Sequence, residues 1–198
     1  MSEAKPALHD PRVLRAIAHP VRNLILTALD ATGPLRAADV ATELGIPANQ
    51  ASFHLRQLAK YGLVEEDPGA ARDRRDRVWK LTAERGYTVE LGQVESAPGG
   101  RAASAVFRRT KAAWSHQVVD LAYGDDRDEG THRSVSEQAV RLTKDEAKEL
   151  GAELQGVLDS WADRTRGRGD DRRTYLVFQI LMPFPEHPRA EPADEDGD

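Results

Sequence analysis

Residues 47–64, PANQASFHLRQLAKYGLV, gather the side chains of this chain whose types and spacing could do chemistry, and the chemistry is non-covalent recognition. Read as a helix, the stretch places Ala51, Leu55 and Leu58 at i, i+4 and i+7, a single apolar stripe. At 3.6 residues per turn the opposite face carries Asn49, Gln50, Phe53, Arg56, Gln57 and Lys60. No acid occurs between Pro47 and Val64. Amides can bond an adenine edge bidentately, arginine a guanine edge, and lysine can neutralise a phosphate. Such a helix suits the major groove of DNA. The same pattern also fits a plain solvated face, and the helix by itself leaves both open.

The elements that must position it precede and follow it. Asp10-Pro11 reads as the N-cap and first residue of a helix with Val13, Leu14 and Ile17 facing inward. Pro20 starts a second helix, with Val21, Leu24, Ile25 and Ala28 on its core side, ended by the turn cluster Asp30 to Pro34. A third helix is expected from about Arg36 to Leu44, with Gly45 just past its end. Two short helices joined by a tight Gly-containing turn, the second with a polar outward face, make a helix-turn-helix. Beyond Gly62, the segments around Leu63-Val64 and Arg77-Val78-Trp79-Lys80-Leu81 read as a β-hairpin with Asp67-Pro68-Gly69 in its loop. Arg72, Arg74, Arg75 and Arg77 lie at its tip, diluted by Asp73 and Asp76. A hairpin directly after a recognition helix is a wing, and arginines there can reach phosphate or a minor groove. Its place in the chain favours that role over a merely solvated hairpin.

The segment from Asp10 to Leu81 resembles the winged-helix domain of ArsR-type bacterial transcriptional regulators. The residues that carry the resemblance are DPRVLRAIAHPVRNLIL, AADVATELGIP, SFHLRQLAKYGLV and RVWKL. It covers about the first 80 residues. The resemblance implies a homodimer that binds operator DNA and releases it on a metal or other signal. It also implies that Asn49, Gln50, Ser52, Phe53 and Arg56 meet base edges and backbone, and it places His54 in the family's His-Leu pair. On the helical wheel His54 flanks the core stripe, which suits packing or hydrogen bonding better than base reading. Phe53 is open between contact with a thymine methyl and packing on a neighbouring segment. The chain departs from metal-sensing members where they carry a cysteine pair, since AADVATELG offers neither thiolate nor imidazole. His116 and Asp120 stand at i, i+4 with His132 further on, a spacing that reproduces no family metal motif, so no metal and no cofactor is expected.

The chain has 198 residues, 39% hydrophobic and 31% charged, enough for a real core with polar appendages. It has no cysteine, which excludes disulfides, thiolate metal sites and cysteine nucleophiles. No apolar run is long enough to span a membrane, and the N-terminus lacks a basic-then-apolar signal, so a cytoplasmic location is expected. The net charge of −5 belongs to the tail. Six acids against Arg189 after residue 185 account for all of it, leaving a neutral body that can still carry a local basic surface.

The SAPGG stretch ends a linker. Residues 101–123 then show a helical stripe of Val106, Phe107, Trp114, Val118 and Leu121. Residues 134–142 read as a strand with imperfect alternation. Thr143-Lys144-Asp145-Glu146 fits a capping box ahead of a helix carrying Leu150, Leu154 and Trp161. Thr174 to Met182, TYLVFQILM, is β-prone and nearly continuously apolar, the pattern of a buried strand. The acidic loop GDDRDEG lacks the alternation of a calcium loop. No Ser/His/Asp arrangement, phosphate-cradling loop or paired carboxylates in an apolar setting point to an enzyme.

The expected fold class is α+β, a winged helix-turn-helix domain followed by a smaller helix-strand-helix-strand domain. The boundaries are an arm at 1–9, the DNA-binding domain at 10–91, a linker at 92–100, the second domain at 101–185 and a disordered acidic tail at 186–198. The second domain would dimerise the chain, or hold a small apolar effector among Phe107, Trp114, Trp161 and Tyr175. The expected function is a sequence-specific DNA-binding transcriptional regulator, a homodimeric repressor, with base and backbone contacts from Asn49, Gln50, Ser52, Phe53, Arg56, Lys60, Arg72, Arg74, Arg75 and Arg77. The alternative is a winged-helix protein-interaction module.

Overall fold

A computed structural model describes residues 6–70, 77–83, 86–125, 128–167 and 172–185. Helix α1 (Pro11–Ile17) begins where Asp10 accepts a hydrogen bond from the Arg12 amide at 2.7 Å and Pro11 removes a donor that would lack a partner. Helix α2 (Pro20–Thr32) starts on a second proline and stops at Gly33, whose φ of 96° only glycine adopts without strain. Helix α3 (Ala37–Leu44) ends at Gly45 in the left-handed conformation. Helix α4 (Ala48–Lys60) follows after three residues. It buries Ala51, His54, Leu55 and Leu58 against the rest of the domain.

Strand β3 (Val64–Glu66) pairs antiparallel with β4 (Val78–Leu81), with Val64 opposite Leu81 and Glu66 opposite Trp79. The expected hairpin forms, and β4 also pairs on its other edge with β2 (Leu35–Arg36), the short strand leading into α3. That third strand ties the wing to the helix-turn-helix. A separate two-strand parallel pair joins β1 (Ala7–Leu8) to β5 (Thr88–Val89). The residues before β5 are anchored by Tyr87, whose hydroxyl donates to the Leu63 carbonyl at 2.8 Å.

The segment 92–100 differs from a linker. It lies mostly within helix α5 (Leu91–Ser96), which packs on the start of α6 (Gly100–Tyr123) and sends Val94 into the main core. One apolar side chain at the right place outweighs the Gly- and Pro-rich composition around it. The core is a single cluster running from Leu14 and Ile25 through Val40, Leu55, Leu58 and Trp79 to Val94 and Ala103. Thus α1 and the first turns of α6 belong to the same packed body as the winged helix.

The remainder departs further from expectation. Helix α7 (Lys144–Thr165) forms behind the capping box, with Thr143 accepting from the Glu146 amide and Glu146 accepting from the Thr143 amide. It buries no residue. Residues 134–142 and 174–182, both expected as strands, carry no regular secondary structure. Near them, the His132 amide donates to the Tyr175 hydroxyl at 3.1 Å. A strand exists only by its ladder of backbone hydrogen bonds, and within one chain these two described segments make none with each other. The helix-strand-helix-strand order is corrected to two helices, each followed by an irregular segment. The aromatic lining does not assemble either, since Trp161 and Tyr175 are exposed.

Candidate nucleic-acid interface

Helix α4 packs chiefly on α3, with α2 and β3 as further supports. Its buried stripe is the expected Ala51, Leu55 and Leu58, so the opposite face is forced outward. Asn49, Gln50, Phe53, Arg56 and Lys60 are all exposed, and Ser52 and Gln57 are half-buried. One rigid element therefore presents two amides, a guanidinium and an ammonium along one side, spaced by the helix itself. Neither Arg56 nor Lys60 has an ion-pair partner among the described residues. Asn49 turns its Oδ1 back to accept from the Gln50 amide at 2.9 Å. Phe53 is 51% exposed and meets His54 edge-on, ring centres 5.3 Å apart. It is thus half packed and half available.

The wing is described only at its root. Arg77 is paired with Glu66 at 3.2 Å, and Lys80 lies 3.5 Å from Glu65 and 3.9 Å from Asp67. The root of the wing therefore compensates its own cations. Arg72, Arg74 and Arg75 lie outside the described residues.

His54 is packed. It is 8% exposed, its ring centre lies 4.7 Å from that of His19, and its Nδ1 is buried with no hydrogen-bond partner. His19 stands at the N-cap position of α2 without a side-chain capping bond, and Arg22 one turn on brings a buried Nε, also without a partner, near the pair. Sequence reasoning did not join His19 and Arg22 to His54, because two helices and turns of unknown geometry separate them. Burial, then the neighbouring charges of His19 and Arg22, holds the His54 imidazole below its ordinary value of 6.5. Burial and Arg22 do the same to His19.

The consequence for stability has a definite sign. Both imidazoles bind protons more readily in the unfolded chain, so stability is full above about 6.5 and is lost as the pH falls through that value toward the lower folded pKa. Thermal melts between about pH 7.5 and about pH 5.5 should therefore show a falling midpoint. His54→Leu, which removes one member of the pair, should flatten the fall. An unchanged slope in the variant would remove the histidine pair as its cause.

Residues 17–67 match a family model described as a helix-turn-helix domain. The match runs from the end of α1 through α2, α3 and α4 to the first residue after β3. Fold and match together define a winged helix-turn-helix protein. No curated protein matches the chain. Among solved structures it is similar to wild-type MarR from E. coli in its apo form (18% identity, 75% of this chain and 87% of that one, TM-score 0.33). It is also similar to MepR of S. aureus in a complex with DNA (19%, 72% and 78%, 0.31) and to a double mutant of ZitR from Lactococcus lactis in apo form (14%, 73% and 83%, 0.30). Superposition at these values is too loose to carry anything further. The helix-turn-helix match stands on its own and does not single out the ArsR type.

Proposed function

We propose that this chain is a sequence-specific DNA-binding transcriptional regulator of the ArsR type, a homodimeric repressor working in the cytoplasm. The observation that carries it is the acid-free outward face of α4, where Arg56 and Lys60 stand without ion-pair partners among the described residues, beside exposed Asn49 and Gln50. A helix that had only to be soluble would gain from acids spaced to pair with those cations. In the groove, Asn49, Gln50 and Arg56 read base edges. Ser52 and Lys60 hold backbone, Phe53 offers its exposed edge to a thymine methyl, and Arg72, Arg74, Arg75 and, on exchanging Glu66 for phosphate, Arg77 reach flanking phosphates. Repression follows from the resemblance of the sequence to ArsR-type regulators. No covalent chemistry is required, and no described helix is long and apolar enough to cross a membrane.

Dimerisation is supported by what the single chain leaves uncovered. Leu154, Val157 and Trp161 on α7 rank among its exposed large hydrophobics, together with seven apolar residues from Tyr175 to Met182 and, beyond them, Phe184. Apolar surface on that scale marks an interface. A second copy can supply both the apolar cover and the missing ladder partners, and its two-fold axis sets two recognition helices about 34 Å apart on one DNA face.

The test is selection of bound fragments from random duplex, followed by titration of the selected site across salt concentrations. The logarithm of the binding constant should fall linearly with log salt, with a slope of about 0.9 per neutralised phosphate. Arg56→Ala should cost about 1–3 kcal/mol on the selected site and relax the preference at one base pair. Binding as tight as wild type would remove Arg56 as a base reader. A protein-interaction module is the second reading, favoured by exposed Phe53 and by the self-paired wing root. It expects no retention of duplex at any salt concentration.

A further inference from the structure

A cleft of about 210 Å³ lies where the winged helix meets α6. Helix α2 forms one wall with Asn23, Leu26 and Asp30, and α6 forms another with Phe107 and Lys111. Leu81 and Val89 add apolar surface from the strands. Lys111 is half-buried there, and its ammonium donates to the neutral Asn23 Oδ1 at 2.6 Å. It also lies 5.7 Å from the centre of the Phe107 ring. No carboxylate comes within ion-pair distance of it among the described residues. The one acid lining the cleft, Asp30, is held by Arg166 at 3.3 Å.

A partly desolvated cation with an amide and an aromatic ring but no anion beside it is costly, and the cost falls when an anion sits there. Burial also pushes the Lys111 ammonium below its ordinary pKa, the direction expected of a cation lacking a counter-charge. With Oδ1 of Asn23 taken by Lys111, the amide's NH2 group can donate to the same anion. Apart from Thr27, Gly86 and Tyr87, the remaining walls are hydrocarbon and aromatic, which favours an organic occupant over a fully hydrated inorganic ion. The volume is below the roughly 300–1,000 Å³ of sites for drug-sized ligands, which limits the occupant to one ring or a short chain.

We propose that the cleft binds a small organic monocarboxylate, its carboxylate on Lys111 and Asn23 and its apolar body against Leu26, Leu81, Val89 and Phe107. Its position gives the ligand a route to the DNA-binding face. Helix α2 packs on α3 and α4, while α6 leads toward the C-terminal surface that would join two copies. A wedge between α2 and α6 acts on the joint between those parts. That regulatory consequence rests on the DNA-binding function proposed above, whereas ligand binding itself does not.

Titration calorimetry on the full chain tests the site, with benzoate and hexanoate as probes and benzamide as the neutral match. Both acids should bind, with benzamide at least tenfold weaker. Lys111→Met should weaken the acids at least tenfold and Lys111→Arg should retain them. Lys111→Met removes a poorly compensated charge, so its melting midpoint should not drop, and Lys111→Gln serves as a second neutral variant. Absence of acid binding, equal binding of benzamide, or undiminished binding by both neutral variants would each overturn the site. Benzoate should also shift affinity for a selected duplex in wild type and not in Lys111→Met. Acid binding by a chain that ignores duplex DNA would leave the site standing and overturn its regulatory role.

Discussion

Leu55→Ala should lower the free energy of unfolding by about 2–5 kcal/mol, the range for deleting a fully buried leucine side chain. Leu55 is 0% exposed and lies mid-way along α4, in one cluster with Ala51, Leu58, Val40 and Trp79. That cluster draws on α3, β3 and β4 as well as α4, so no single side chain can swing in to close the gap. Part of the cost is lost transfer energy, and part is the cavity left in a body held from several sides. Denaturant unfolding at constant slope measures it. Because Leu55 holds the helix that presents Arg56, DNA affinity should fall as well, in proportion to the fraction unfolded or loosened. A loss below about 1 kcal/mol would mean that α4 is not seated as described.

Gly100→Ala should cost about 3 kcal/mol, the upper part of the range for overpacking. A Cβ built on Gly100 would lie 1.8 Å from the carbonyl oxygen of Val94 and 2.7 Å from its carbonyl carbon. The obstruction is backbone, which cannot rotate away. Relief requires prising α5 off the start of α6, and that contact buries Val94, Ala103 and Ser104 completely. Gly92→Ala in α5 supplies the control, since nothing lies within 4 Å of its Cβ position. It should be neutral or stabilise by about 0.4–1 kcal/mol through the unfolded chain. Equal effects at the two glycines would refute the close approach of α5 and α6.

The two substitutions fall on opposite sides of what a sequence reveals. Leu55 is legible from periodicity, because an amphipathic helix must bury its apolar stripe whatever it packs against. Gly100 reads as part of a Pro- and Gly-rich connection, and only the approach of two helices turns it into a steric requirement. The histidine pair is similar. His54 is visible as a packing residue from its place beside the core stripe, but its contact with His19 depends on the crossing of α2 and α4.

Local physics fixed what is local in this chain. Asp10-Pro11 starts a helix, Gly45 ends one, Thr143 and Glu146 cap another, and the face of α4 with Asn49, Gln50, Arg56 and Lys60 follows from 3.6 residues per turn. Tertiary structure alone decided which β-prone segments became strands. Residues 134–142 and 174–182 have the composition for it, but a ladder needs a second backbone at hydrogen-bonding distance, and one copy of the chain does not bring it there. It alone set Lys111 beside Asn23 across 88 residues, with Phe107 and Leu26 in the same cleft. Caps and periodicity are properties of neighbours along the chain, whereas ladders, close approaches and clefts are properties of neighbours in space.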